Sequence, residues 1–455
     1  MILNRTKKSF LSKLFVVAIP ITLQNLITSL VNLVDNVMIG RLGDEAIASV
    51  GLANQFFFIY SLLVFGICSG AAVFIAQYFG KRDYKGIRTV TGQELLLSVS
   101  TGLIFGLVAF ITPMTIMRIF SPDEAVCAAG AGYLRIVAAT YPLAAVSFAV
   151  SYLLKSVGEV KAPMYISALS VCINIIFNYL LIYGKFGCPE LGVNGAAIAT
   201  LISRIAEAVI ICAVALCKID YLRTGLKDYI AFTKENMVQF FKVAGPVIIN
   251  ETLWGLGMSA YSAIYSRIGD ATAGTAAVAA ANTASLAEKL FFVGSMGFSH
   301  AAGIIIGKNI GAKKKKQAVY AAKFSLIVTP LVALASGVML ILIIPLYTAM
   351  FNLTPAAQDM TYKMLFILAL SLPLKSYTLV AIVGIMRAGG DTRYALLADI
   401  LCVWFIGVPL GYISGIVIGL SAPVTYAIVV SEEVVKAVIV WHRMRGKKWL
   451  NDLVN

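Results

Sequence analysis

Histidine is almost missing from this chain of 455 residues: only His300 and His442 occur. That scarcity excludes a histidine-built zinc centre and a Ser-His-Asp triad. Charge is scarce too, at 13% against 60% hydrophobic residues, a balance foreign to an ordinary soluble domain. The seven cysteines include no CxxC and fall mostly inside apolar runs, so they read as packing residues with no disulfide framework. HExxH and GxSxG are absent as well. Without a convergent nucleophile–base or metal cluster, an enzyme is not expected. The first apolar run is too long for a signal-peptide core and lacks a small-residue cleavage site, so it is expected to stay in place.

What abounds is apolar sequence. Twelve runs lie at about 14–39, 48–79, 90–119, 125–154, 163–183, 193–217, 236–266, 274–307, 319–347, 357–386, 394–414 and 420–441, each long enough for a roughly 30 Å hydrocarbon core. None alternates as the strands of a barrel must. The expected fold class is all-α integral membrane. Basic residues concentrate on alternate connections, with 27 of the 37 Lys and Arg on one side and five (Arg41, Arg118, Lys185, Arg267, Lys363) on the other. The positive-inside rule then places both termini in the cytoplasm of a multi-pass protein of the cell membrane. The Lys313–Lys316 run reads as an inner loop near anionic lipid, and no nucleic-acid partner is expected.

The chain also repeats itself. PITLQNLITSLVNLVDNVMIGRLGD (20–44) returns as PVIINETLWGLGMSAYSAIYSRIGD (246–270), 226 positions later. GICSGAAVFIAQYFG (66–80) returns as GFSHAAGIIIGKNIG (297–311), and KSVGEVK (155–161) as RAGGDTR (387–393). Six spans per copy, an even number, give a parallel repeat, as in transporters built from two similar bundles. The expected lobes are 1–217 and 236–455, joined by the charged connection 218–235. Among the in-span prolines, Pro20 and Pro246 hold equivalent places and are the hinge candidates.

Polar residues inside spans mark candidate sites. At about 100° per residue, Asn25, Asn32 and Asn36 share a stripe with Asp35 at its edge, and Gln24 lies close by. An aspartate at membrane depth costs about 2.5–3.5 kcal/mol and reads by default as an ion or proton site. Asn174 and Asn178 share a face of the fifth run, and Thr200 lies on the small-residue-rich sixth. Together these are the hard oxygen ligands of a small cation, Na⁺ or H⁺. Glu207 is the nearest rival acid, with Arg204 three residues away to neutralise it. In the second copy, Glu251, Gly255, Met258, Ser262 and Tyr265 share a face suited to an organic cation. The competing expectation is a charge network in which Glu251 pairs with Lys375, with Asp399 as a second partner for that lysine. The aromatics Phe56, Phe57, Phe58 and Tyr60 read as packing.

These residues carry a resemblance. VDNVMIGRLG (34–43), FGKRD (79–83), GVNGAAIAT (192–200), GFSHAAGIIIGKNIGA (297–312) and MRAGGDTR (386–393) make the chain similar, in order and along its length, to the multidrug and toxic compound extrusion (MATE) family. The resemblance implies a V-shaped fold of two six-helix lobes, acting as a monomer without a cofactor. It implies export of small amphipathic or cationic compounds in exchange for Na⁺ or H⁺. Asp35, Asn174, Asn178 and Thr200 fall on the cation-site positions of DinF-type members, some of which carry Asp in place of Asn178. Lys375 and Ser376 stand where NorM-type members place an acid, so the DinF-type branch is the nearer one. The alternative is a lipid-linked precursor flippase of the same superfamily, which would need a strongly basic cavity.

Overall fold

A computed structural model describes the backbone of residues 2–351 and 353–454, and their side chains except those of 2–9, 32, 33, 44, 226 and 271. No strand occurs among these residues, and helices follow the order expected of twelve spans. Spans 1 to 3 are Ile2–Gly40, Asp44–Lys81, and Tyr84–Ile111 continued by Pro113–Phe120. Span 4 joins Glu124–Val137 to Thr140–Val157, span 5 is Lys161–Ile182 and span 6 is Gly192–Lys218. Span 7 is Lys234–Tyr265, span 8 joins Ala271–Phe291 to Val293–Gly311, and span 9 is Lys315–Ala349. Span 10 is Pro355–Leu379 with a π-helical end Val380–Met386, span 11 runs Thr392–Val417, and span 12 joins Ala422–Val430 to Glu432–Arg445.

Eight spans are single helices long and apolar enough to cross a membrane, and spans 4 and 8 are pairs bent by 52° and 46°. Spans 7 and 12 are not among these: span 7 carries Asn250 and Glu251, and span 12 is broken into helices of 9 and 14 residues and carries Glu432, Glu433 and Lys436. Span 11 contains two π-helical turns, Val403–Gly407 and Ile413–Val417, whereas span 5, its counterpart in chain order, is regular throughout. Such turns mark helices that bend locally and leave backbone groups free to re-pair.

The chain forms two compact units, Leu23–Ile248, and Met1–Thr22 with Ile249–Asn455. The breaks fall inside spans 1 and 7, two residues after Pro20 and Pro246, at places 226 residues apart. The compact units therefore do not part at 218–235. The packing shows why. In the first unit a Cβ on Gly66 would lie 2.7 Å from Ile248 Cα, so span 2 presses on the opening half of span 7. In the second unit a Cβ on Gly297 would lie 2.0 Å from Thr22 Oγ1, so span 8 presses on the opening half of span 1. Gly66 and Gly297 are matched by the repeat, and so are Ile248 and Thr22. Each copy thus lends its first half-helix to the other.

The core of the first unit centres on Tyr60, Leu134 and Tyr141. Tyr60 donates its hydroxyl to the Tyr141 carbonyl at 2.6 Å, and Phe56 and Phe57 pack edge to face or tilted around the pair. The connection 218–235 is docked rather than loose. Tyr221 stacks on Tyr84 with ring centroids 4.3 Å apart, Arg88 donates to the Tyr221 carbonyl at 3.0 Å, and Leu222 is buried. Burial raises the pKa of the Tyr221 hydroxyl. Gly92 is what lets the connection in, since a Cβ there would lie 1.8 Å from the Tyr229 carbonyl oxygen.

Candidate functional site

Three spans of the first unit converge on Asp35. Asn178 Nδ2 donates to Asp35 Oδ1 at 2.6 Å and to Asn174 Oδ1 at 3.1 Å, and Asn174 Nδ2 approaches Thr200 Oγ1 at 3.5 Å. The spacing of four between the two asparagines stacks their amides on one face of span 5. Both are buried, at 4% and 1% exposure for Asn174 and Asn178, while Asp35 and Thr200 keep partial access. The four expected cation-site residues are therefore one cluster. Asn178 Oδ1 is buried with no donor, an acceptor left open inside the cluster. Tyr133 of span 4 adds a hydroxyl beside Thr200 and Asp35. Sequence spacing could not supply it, because no helical periodicity links span 4 to spans 1, 5 and 6.

The rest of the span 1 stripe divides. Asn25 is half-buried and Asn36 exposed, and the Asn32 side chain lies outside the described residues. Gln24 is the engaged amide: it donates to Ser167 Oγ at 2.9 Å, and Ser167 donates to Glu207 at 3.3 Å. Arg204 meets Glu207 at 2.7 Å, as its position three residues away implies.

The second unit overturns the expected Glu251–Lys375 pair. Glu251 meets Arg387 at 2.6 Å, and Lys375 meets Glu288 at 2.7 Å. The π-helical end of span 10 explains the first partner, for it carries the helix on to Met386 and puts Arg387 at its buried tip. Asp399 does not serve Lys375 either. It accepts from Asn250 at 3.1 Å and pairs with Lys436 at 2.9 Å. Lys436 also meets Glu433 at 3.1 Å and Glu432 at 3.7 Å, while Tyr261 donates to Glu432 at 2.9 Å. Nor do Met258 and Tyr265 make one surface: Met258 and Ser262 are exposed, whereas Tyr265 is buried in the core.

Buried carboxylates, amides and cations inside apolar spans define an all-helical membrane protein whose chemistry lies in its interior. The chain belongs to the MatE family, whose profile matches residues 20–180 and 253–413, one stretch in each copy of the repeat. It is 27% identical over 419 residues to the "Probable multidrug resistance protein YoeA" of Bacillus subtilis (strain 168), covering 90% of this chain and 88% of that one. It is 24% identical over 408 residues to the "Probable multidrug resistance protein NorM" of Thermotoga maritima, covering 88% and 85%. Among solved structures, the crystal structure of MATE in complex with MaL6 superposes with a TM-score of 0.86 over 96% of both chains at 22% identity, a likeness of fold.

Proposed function

We propose that the chain is an antiporter that exports small amphipathic or cationic organic compounds across the cytoplasmic membrane in exchange for a cation, Na⁺ or H⁺, bound at Asp35. The observation that carries this reading is the 2.6 Å contact of Asn178 with Asp35 in a buried setting of amides and hydroxyls. The printed names of YoeA and NorM support the class of cargo. The Asp35 carboxylate, the amide oxygens of Asn174 and Asn178 and the Thr200 hydroxyl are the hard donor set that a small cation needs. A proton would serve in another way. It turns Asp35 into a donor, and Asn178 Oδ1 is the acceptor that a turned-over amide would offer it. Coupling follows if ion and cargo favour different states of the protein. Pro20 and Pro246, each two residues before a unit boundary, are the hinge positions of this reading. Its topological lobes are 1–217 and 236–455.

The flippase alternative asks for free basic charge to hold a pyrophosphate. Here Arg204, Lys375, Arg387 and Lys436 each lie within 3 Å of a carboxylate, which favours the antiporter.

Transport in proteoliposomes under separately imposed Na⁺ and pH gradients identifies the ion. Asp35→Asn keeps the side-chain shape and should abolish gradient-driven efflux while leaving expression intact. Full efflux by that variant would sink the assignment. For orientation, a label applied from outside to a cysteine-free background should miss Lys314→Cys and reach Thr354→Cys. Strong labelling at 314 would reverse the topology.

A further inference from the structure

The first unit buries another acid that the Asp35 site does not use. Glu94 of span 3 is 0% exposed, and among the described residues neither of its carboxyl oxygens meets an N–H or O–H donor, which leaves only the weak S–H of Cys68 within reach. The Cys68 thiol of span 2 lies beside it, and Ser98 is one turn further along span 3, 3.8 Å from Cys68 Sγ. All three are wholly buried. Among the described residues no cation forms an ion pair with Glu94. Lys155 of span 4 is close enough to act on Cys68 and on Glu207 of span 6. Arg88, nearer the start of span 3, is met at 3.4 Å by Asp228 of the docked connection. An ionised carboxylate in this place would have no ion-pair partner and at most a weak thiol hydrogen bond, a costly condition for a buried group. A carboxylic acid carrying its proton escapes most of that cost.

The repeat provides the control. Gly80 and Gly311 near the ends of spans 2 and 8, Arg82 (φ 62°) and Lys313 (φ 58°) in left-handed turns, and the helix starts Tyr84 and Lys315 all stand 231 residues apart. That register sets Glu94 on Ser325, Ser98 on Thr329 and Cys68 on Ser299. The three second-unit residues are wholly buried hydroxyls. Packing at this corner thus works without a carboxyl in one copy, so the fold does not account for the acid in the other.

We propose that Glu94 is a second proton-binding site of the first unit, loaded and unloaded during transport. The proton-binding part stands on the geometry alone, while the loading cycle rests on the antiporter reading. The test uses the full chain in lipid nanodiscs. The infrared carbonyl band of a protonated carboxyl should be present at neutral pH, lost in Glu94→Gln and retained in Asp35→Asn. Dicyclohexylcarbodiimide, which attacks protonated carboxyls in apolar surroundings, should leave an adduct on the peptide carrying Glu94. In proteoliposomes, Glu94→Gln should then lower the proton count per exported molecule by one. If the Gln variant fails to fold, Glu94→Ser, the residue type of the second copy, carries the same measurements. A carbonyl band unchanged by the substitution would overturn the proposal without touching Asp35. A lost band with the proton count unaltered would overturn the loading cycle.

Discussion

In the first unit Asp35 is met by a neutral amide at 2.6 Å, with Asn174 and Thr200 behind it. In the second unit Glu251, Glu288 and Asp399 each meet a cation at 2.6–2.9 Å. Carboxylates are thus held in two ways, and the first unit contains both, since Glu207 meets Arg204 at 2.7 Å. A carboxylate paired in a low-dielectric interior is satisfied, and a new ligand must first displace its cation. A carboxylate held by an amide has given up little and can accept an ion. On the antiporter reading the difference would separate an exchangeable site from a fixed frame, and it can be tested from either side.

The largest effect should come from Lys436→Met. It strips the ammonium that meets Asp399, Glu432 and Glu433, and breaking a buried ion pair from one side costs about 3–5 kcal/mol. Thermal unfolding in detergent should show it, and Asp35→Asn should show far less. If both variants lose stability alike, the contrast is wrong. The Glu251–Arg387 pair sharpens the point through a double-mutant cycle. Glu251→Gln and Arg387→Met should each destabilise, and the double variant should lose clearly less than their sum. The same cycle on Glu251 and Lys375 should be additive, since their partners differ. Coupling there would restore the pairing that spacing implied.

Gly92→Ala should act next, at about 1–3 kcal/mol as an overpacked contact, because the new methyl meets the Tyr229 carbonyl. Proteolysis within 218–235 should speed up accordingly. The matching residue of the second copy, Lys323, is exposed, and its replacement by Ala should change nothing there. The smallest effect belongs to Lys363→Ala, whose pair with Asp359 at 2.6 Å is more than half exposed. It should cost at most about 0.5 kcal/mol and vanish in high salt.

The contrast also shows what spacing along one chain can reveal. Asn174 and Asn178 were legible because four residues make one turn, and Asp35 because a lone acid in an apolar run has few explanations. The repeat was legible as an echo in the letters. Partners in the second unit were not. Glu251 finds Arg387 only because span 10 runs on through a π-helical turn, and no apolar count reveals where such a helix ends. Lys375 finds Glu288 on a span that helical periodicity cannot relate to its own. The unit boundaries were hidden for a similar reason: charge and loop length mark 218–235, but small residues such as Gly66 and Gly297 decide which helices touch.

That last exchange has a bearing on how the protein is made. A ribosome delivers Ile2–Gly40 long before span 8 exists, so the second unit's contact between Gly297 and Thr22 must wait for most of the chain. The first unit likewise lacks the contact of Gly66 with Ile248 until span 7 has been inserted. Neither bundle can finish as an isolated product of its own half of the gene. Two fragments divided at the connection should therefore be poor material separately and recover when expressed together, each completing the other with a loaned half-helix.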